Sequence, residues 1–174
     1  MTLFLNDVEW FRPSSTRRTG LSTGLMISGF CIGVTMKISI ETTVKAPLEQ
    51  VWLCFVTPQH IVGWNFAIPE WCCPKAELDL VEGGSFSYRM EAKDGSIGFD
   101  FSGEFIAITP YQAICYSLGD ARQVDIQFSE SPQGIRVQQT FEAEDEHSAE
   151  QQRQGWLGIL QNFKAYVESK NAAS

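Results

Sequence analysis

The sequence predicts an α+β domain: a curved antiparallel sheet around one long C-terminal helix, with two short helices after the first strand. Three observations predict it. Apolar and polar residues alternate in successive short segments joined by tight turn signals, the pattern of an antiparallel sheet with one dry face. A long amphipathic helical period occurs only at the C-terminus. The remaining helical signals sit together, directly after the first alternating segment.

The first strand is "MKISIETTVKAP". Ile38, Ile40, Thr42 and Val44 face one way; Lys37, Ser39, Glu41 and Thr43 face the other. Pro47 suits the first turn of a helix, where its missing N–H goes unused. Leu48, Val51, Trp52 and Phe55 then fall on one helical face. "TPQHIVGW" predicts a second short helix, with Thr57 as cap and Pro58 at its first position. The next segment, "HIVGWNFAIPEWCCP" (60–74), holds two tryptophans, a phenylalanine, paired cysteines and two prolines without any period. It reads as a loop, crossing back to the sheet over the space between sheet and helix.

Strands follow in turn. "KAELDLV" ends at Gly83-Gly84, and "SFSYRMEA" ends at the hairpin signal Asp94-Gly95. "IGFDFSGEFIAI" closes at Pro110. "QAICYSL" and "QVDIQFSE" are joined around Gly119-Asp120, and "GIRVQQTFEAE" follows a turn at Pro132 to Gly134. Ser148 and Gln151 have capping-box spacing. Trp156, Ile159, Leu160, Phe163 and Val167 form the heavy face of a helix of about five turns. This order is a helix-grip, which leaves a wedge-shaped hollow between sheet and helix.

Composition narrows the function. Thirteen basic against twenty-one acidic residues give a net charge of −8, which argues against nucleic acid or an anionic membrane as partner. No apolar run is long enough to span a bilayer. The five cysteines are odd in number, and Cys72 and Cys73 are adjacent. That is no secreted disulfide framework; it suggests reduced thiols in a cytoplasm. The adjacent pair does not extend to a four-ligand metal set. Neither metal nor cofactor is implied. Residues 1–35 lack alternation and are expected to be a disordered extension, or translation from an upstream start. Met36 then opens a domain covering 36–170. Arg17 and Arg18 before a mildly apolar stretch look like the start of a signal peptide, but no small-x-small cleavage site follows cleanly.

Several segments together resemble a known superfamily. "APLEQVW", "IVGW", "DLVEGGSFSYRM", "SGEFIAITP", "ICYS", "GIRVQQTF" and "QGWLGILQNFKAYVE" are similar to START-like (SRPBCC) proteins. Within that superfamily they look most like the group named for the activator of the ninety-kilodalton heat-shock protein ATPase. The resemblance covers about residues 36 to 168 and implies the START-like, birch-pollen-allergen-like helix-grip. It also implies a hollow that binds hydrophobic small molecules such as lipids or polyketides. A few relatives elsewhere in the superfamily are cyclases or hydrolases.

The predicted dry faces carry no Asp, Glu, His, Lys, Arg or Cys, so acid–base or nucleophilic chemistry has no obvious seat on the sheet. The loop offers His60, Glu70, Cys72 and Cys73. Glu70, between Pro69 and Trp71, is the leading catalytic candidate, and His147 reads as exposed. Uncharged polar residues do interrupt the dry faces: Thr42, Tyr88, Tyr116 and Gln139. The leading expectation is a binding module for a small hydrophobic or aromatic molecule. Its walls would be Trp64, Phe66, Trp71, Tyr88, Phe101, Tyr116, Gln139, Trp156 and Phe163. The first alternative is an interaction protein of the heat-shock protein 90 ATPase activator type, a chaperone partner with a filled core; the second is a cyclase- or hydrolase-like enzyme. Either a monomer or a homodimer is compatible.

Overall fold

The computed structural model describes residues 35–172. The expectation of a disordered extension before Met36 therefore lies, but for Thr35, outside the described residues. The elements run β1 (Lys37–Val44), α1 (Leu48–Val56), α2 (Pro58–Ile61), β2 (Trp71–Leu78), β3 (Ser85–Ala92), β4 (Gly98–Thr109), β5 (Ala113–Leu118), β6 (Gln123–Ser131), β7 (Gly134–Glu142) and α3 (Ala149–Ala172).

The seven strands form one antiparallel sheet in the order β1-β7-β6-β5-β4-β3-β2. It curves into a half-barrel around α3, as a helix-grip does. Consecutive strands from β2 to β7 are hairpin neighbours. The chain must cross from β1, at one edge, to β2, at the other, and α1 and α2 make that crossing. Alternation sets the register: Ile38, Ile40, Thr42 and Val44 of β1 pair with Phe141, Gln139, Val137 and Ile135 of β7, all inward-facing. A bulge at Ile106 adds one residue to β4 opposite β5 and bends it, leaving Ile106 exposed.

The helix ends follow local chemistry. At α3 the Gln151 N–H donates to Ser148 Oγ at 3.2 Å, and the Ser148 N–H donates to Gln151 Oε1 at 3.1 Å, a reciprocal capping box. The helix spans 24 residues, more than the expected five turns. Thr57 caps α2 through its backbone carbonyl, not its side chain. Pro47 lies just before α1, where its carbonyl accepts from the Val51 N–H.

The segment 60–74 departs from expectation. Its last four residues are not loop: β2 begins at Trp71 and ends at Leu78. The absent alternation has a local cause, a register shift between Cys72 and Lys75. Pro74 sits inside it and has no N–H for the ladder, which a bulge on an edge strand tolerates. The shift also turns Cys73 inward, so the dry side of β2 does hold a cysteine; burial pushes its thiol pKa up to about 11. Nor do residues 66–68 roof the hollow. They lie against α3, where a Cβ on Gly158 would stand 2.9 Å from the Ala67 carbonyl oxygen. Asn162 of α3 donates to the Phe66 carbonyl.

Candidate functional site

Between the sheet and α3 lies a cavity of about 50 Å³. Its position follows from where α3 rests. The helix backbone comes closest to β1 and α1, and no other strand approaches it comparably. The Lys45 N–H donates to Glu168 Oε1 at 2.8 Å, and Asn171 Nδ2 donates to the Lys45 carbonyl at 3.2 Å, tying the end of α3 to the end of β1. The β3–β5 side of the sheet is left standing off the helix.

Most walls are apolar. Helix α1 contributes Phe55 and Val56, and α3 contributes Trp156, Ile159 and Leu160. Leu78 and Leu80 come from the end of β2 and the loop after it; Met90, Phe101, Phe105 and Ile114 come from the central strands. The rings brace one another. Trp156 stacks on Phe141 at 4.4 Å between centroids and meets Phe101 edge-on at 5.9 Å. Trp64 donates its indole N–H to the Cys54 carbonyl at 3.0 Å, near the end of α1, which fixes its ring against Phe55 and Phe163. Phe86, beneath the wall, packs against Tyr88, Phe101, Phe105 and Tyr116.

Four polar side chains interrupt this surface: Asn65, Tyr88, Tyr116 and Gln139. The Gln139 amide lies near the Tyr116 hydroxyl. Asn65 Nδ2 faces the Met90 sulfur at 3.5 Å, a weak contact. Burial holds both phenols well above the usual tyrosine range, so each keeps its proton. Tyr88 is only half-buried as a residue because part of its surface borders the hollow. Among the described residues the lining has no carboxylate, imidazole, ammonium or guanidinium.

Six of the nine expected wall residues border the cavity: Trp64, Tyr88, Phe101, Tyr116, Gln139 and Trp156. The other three lie elsewhere. Phe163 is fully buried behind the wall, edge-on to Phe55 and Trp64. Phe66 is carried onto α3 with its own carbonyl. Trp71 packs on Phe99 in the first position of β2. Glu70 is exposed and does not line the hollow. His60 bonds the Tyr166 hydroxyl at 2.9 Å on the outer side of α2, and His147 bonds Glu144 at 2.9 Å before α3. Asn65 was missed, because it lies in an aperiodic stretch where no pattern assigns it a face.

The fold and its hollow define the class: a START-like helix-grip protein with an internal cavity. More narrowly, the chain belongs to the family of activator of Hsp90 ATPase homolog 1-like proteins, whose model matches residues 45–168. Among solved structures it is similar to the AHSA1-like protein from Aeromonas hydrophila, at 45% identity and TM-score 0.74, covering 78% of this chain and 94% of that one. A protein from Cytophaga hutchinsonii is 39% identical, with TM-score 0.67 and coverage of 79% and 96%. A protein from Nitrosomonas europaea shares the fold at 17% identity and TM-score 0.70, covering 81% and 99%. No curated protein matches the chain. Among the described residues no helix is long and apolar enough to cross a membrane.

Proposed function

We propose that the protein binds a small, mainly apolar molecule in the hollow between the sheet and α3. One observation carries this reading: apolar walls from both layers surround a space onto which a few uncharged polar side chains converge, the usual make-up of a small-molecule site. Among the described residues the lining offers no base or nucleophile apart from phenols that burial holds protonated, which favours binding over catalysis. The family's name carries a chaperone partner; the hollow carries the present reading. Free thiols at Cys54, Cys72, Cys73 and Cys115 support a reducing cytoplasm as its location.

The resting space is small. A water needs roughly 10–15 Å³ of such volume, and an engineered cavity of about 150 Å³ accepts benzene. A ring-sized guest therefore requires side chains such as Met90, Leu80 or Ile159 to turn aside. Trp64 and Trp156 both border the space, so their fluorescence should respond saturably as one- and two-ring apolar molecules are titrated in. Ile159→Trp fills the hollow from a partly exposed helical position and should abolish the response while leaving the circular dichroism spectrum intact. A flat titration across such a panel would count decisively against the proposal.

A further inference from the structure

Resting on that binding reading, we propose that the ligand is an uncharged molecule carrying a carbonyl or hydroxyl oxygen, held by Tyr88, Tyr116, Gln139 and Asn65. The four side chains reach one hollow from β3, β5, β7 and the α2–β2 connection, and the surfaces between them are hydrocarbon. They are incompletely satisfied by the protein. Among the described residues the Tyr88 hydroxyl has no hydrogen-bond partner, and the Asn65 amide has only its contact with the Met90 sulfur and with Cys73. Buried polar groups of this kind are expected to meet a partner, either water or a ligand.

The chemistry of that partner follows from what the site can give. Two protonated phenols donate, and also accept. Two primary amides do both. A carbonyl oxygen matches the donors, and a hydroxyl matches either role. A carboxylate or an ammonium would lose its hydration and meet no opposite charge. Among the described residues the buried cation Arg122 is engaged by Asp120 at 2.8 Å and does not border the hollow. Neutral hydrogen bonds do not offset the desolvation of an unpaired ion. In the resting protein the space suits a few waters on the same polar atoms, and the ligand's oxygen would take the place of one.

Three one-ring probes of similar size separate the possibilities: acetophenone (neutral carbonyl), benzoate (charged) and ethylbenzene (no oxygen). Each is titrated by calorimetry against the wild type and against Tyr88→Phe, which removes a hydroxyl without a hydrogen-bond partner among the described residues and should leave the fold unchanged. In the wild type acetophenone should bind at least 10-fold more tightly than benzoate. In Tyr88→Phe its Kd should rise about 5-fold, while ethylbenzene holds or gains affinity. Benzoate binding as well as acetophenone would overturn the proposal. So would equal losses for acetophenone and ethylbenzene, or binding of ethylbenzene alone; those results leave the hollow a ligand site but not one that reads a neutral oxygen. Saturable binding by none of the three would remove the binding reading itself, and this inference with it.

Discussion

Strands β1, β6 and β7 present the same inward alternation as strands β3, β4 and β5, yet α3 packs closely on β1, at the edge of the first group, and stands off the second. That side is built mainly from branched aliphatics: Val44, Val124 and Val137 are fully buried, with Ile40 and Ile126 beside them and Phe128 and Phe141 as the inward rings of β6 and β7. Such side chains are stiff and compact and fill space close to the backbone. The other side is built from rings. Phe86, Phe101, Phe105, Tyr88 and Tyr116 pack on one another, as in the edge-to-face Phe86–Tyr116 pair at 4.9 Å. Flat rings locked together make facets that do not follow a cylinder, and a helix seated on the β1 side meets them through the Trp156 ring, edge-on to Phe101, rather than by close backbone approach. Alternation specifies which face is dry. It does not specify how near the opposite layer comes.

The largest expected effect tests that contrast directly. Phe163 is fully buried where α1, α3 and Trp64 meet, so Phe163→Ala should cost about 3–5 kcal/mol. Phe101→Ala removes the same atoms beside a space that already exists, so the void can merge with the hollow and admit water. It should cost less, by about 1 kcal/mol or more, since the penalty depends on the cavity left behind. Urea midpoints of the two variants decide the matter. Equal losses would mean the two sides are equally tight, and the contrast would collapse.

The ring-rich side has a rigid floor all the same. Gly103 pairs with Phe86 on β3 and Leu118 on β5, and a Cβ there would lie 2.2 Å from the Ser117 carbonyl oxygen and 2.7 Å from the Phe86 ring. Gly103→Ala should therefore destabilise by about 1–3 kcal/mol, as overpacking does, despite the empty space nearby. A neutral result in thermal unfolding would show that β4 can yield under the hollow. The cavity would then be a soft region of the sheet and not a gap over a firm one.

The same distinction explains what could be read from the sequence. The succession of elements along the chain, the dry face and the α3 stripe of Trp156, Leu160, Phe163 and Val167 were legible because each depends on a local period. So was the capping box at Ser148 and Gln151. Trp71 to Pro74 were not legible as strand, since a bulge around a proline erases the period that marks one. Within the candidate site, Tyr88, Tyr116 and Gln139 stood out as polar breaks in apolar series. Phe163 was assigned to the wall because its helical position is right. Only the depth of packing, with Phe55 and Trp64 in front of it, puts it behind. Phe66 and Asn65 exchanged roles through a contact no pattern encodes: the close approach of Ala67 to Gly158 carries Phe66 onto α3, and Asn65 is the residue that reaches the hollow.

The smallest effect is also the most specific to one side. The folded-state pKa values of Tyr88 and Tyr116 are raised by burial above the ordinary tyrosine value near 10. Below that pH neither phenol ionises in the folded or the unfolded chain, and their contribution to stability is complete. As pH climbs through about 10, the unfolded chain releases these protons and the folded chain retains them, so stability falls with further rise in pH. Cys73, with its thiol at about 11, adds a similar loss that begins nearer the ordinary thiol value. Tyr116→Phe removes one of the two phenols, so its urea midpoint should decline less than that of the wild type between pH 9 and pH 11. Phe163→Ala should decline in parallel with the wild type, however unstable it is at neutral pH, because it deletes packing and no titrating group. Parallel lines for Tyr116→Phe as well would mean that water reaches the Tyr116 hydroxyl freely. The hollow would then be an open cleft rather than a sheltered one, and the contrast between the two sides would be one of shape alone.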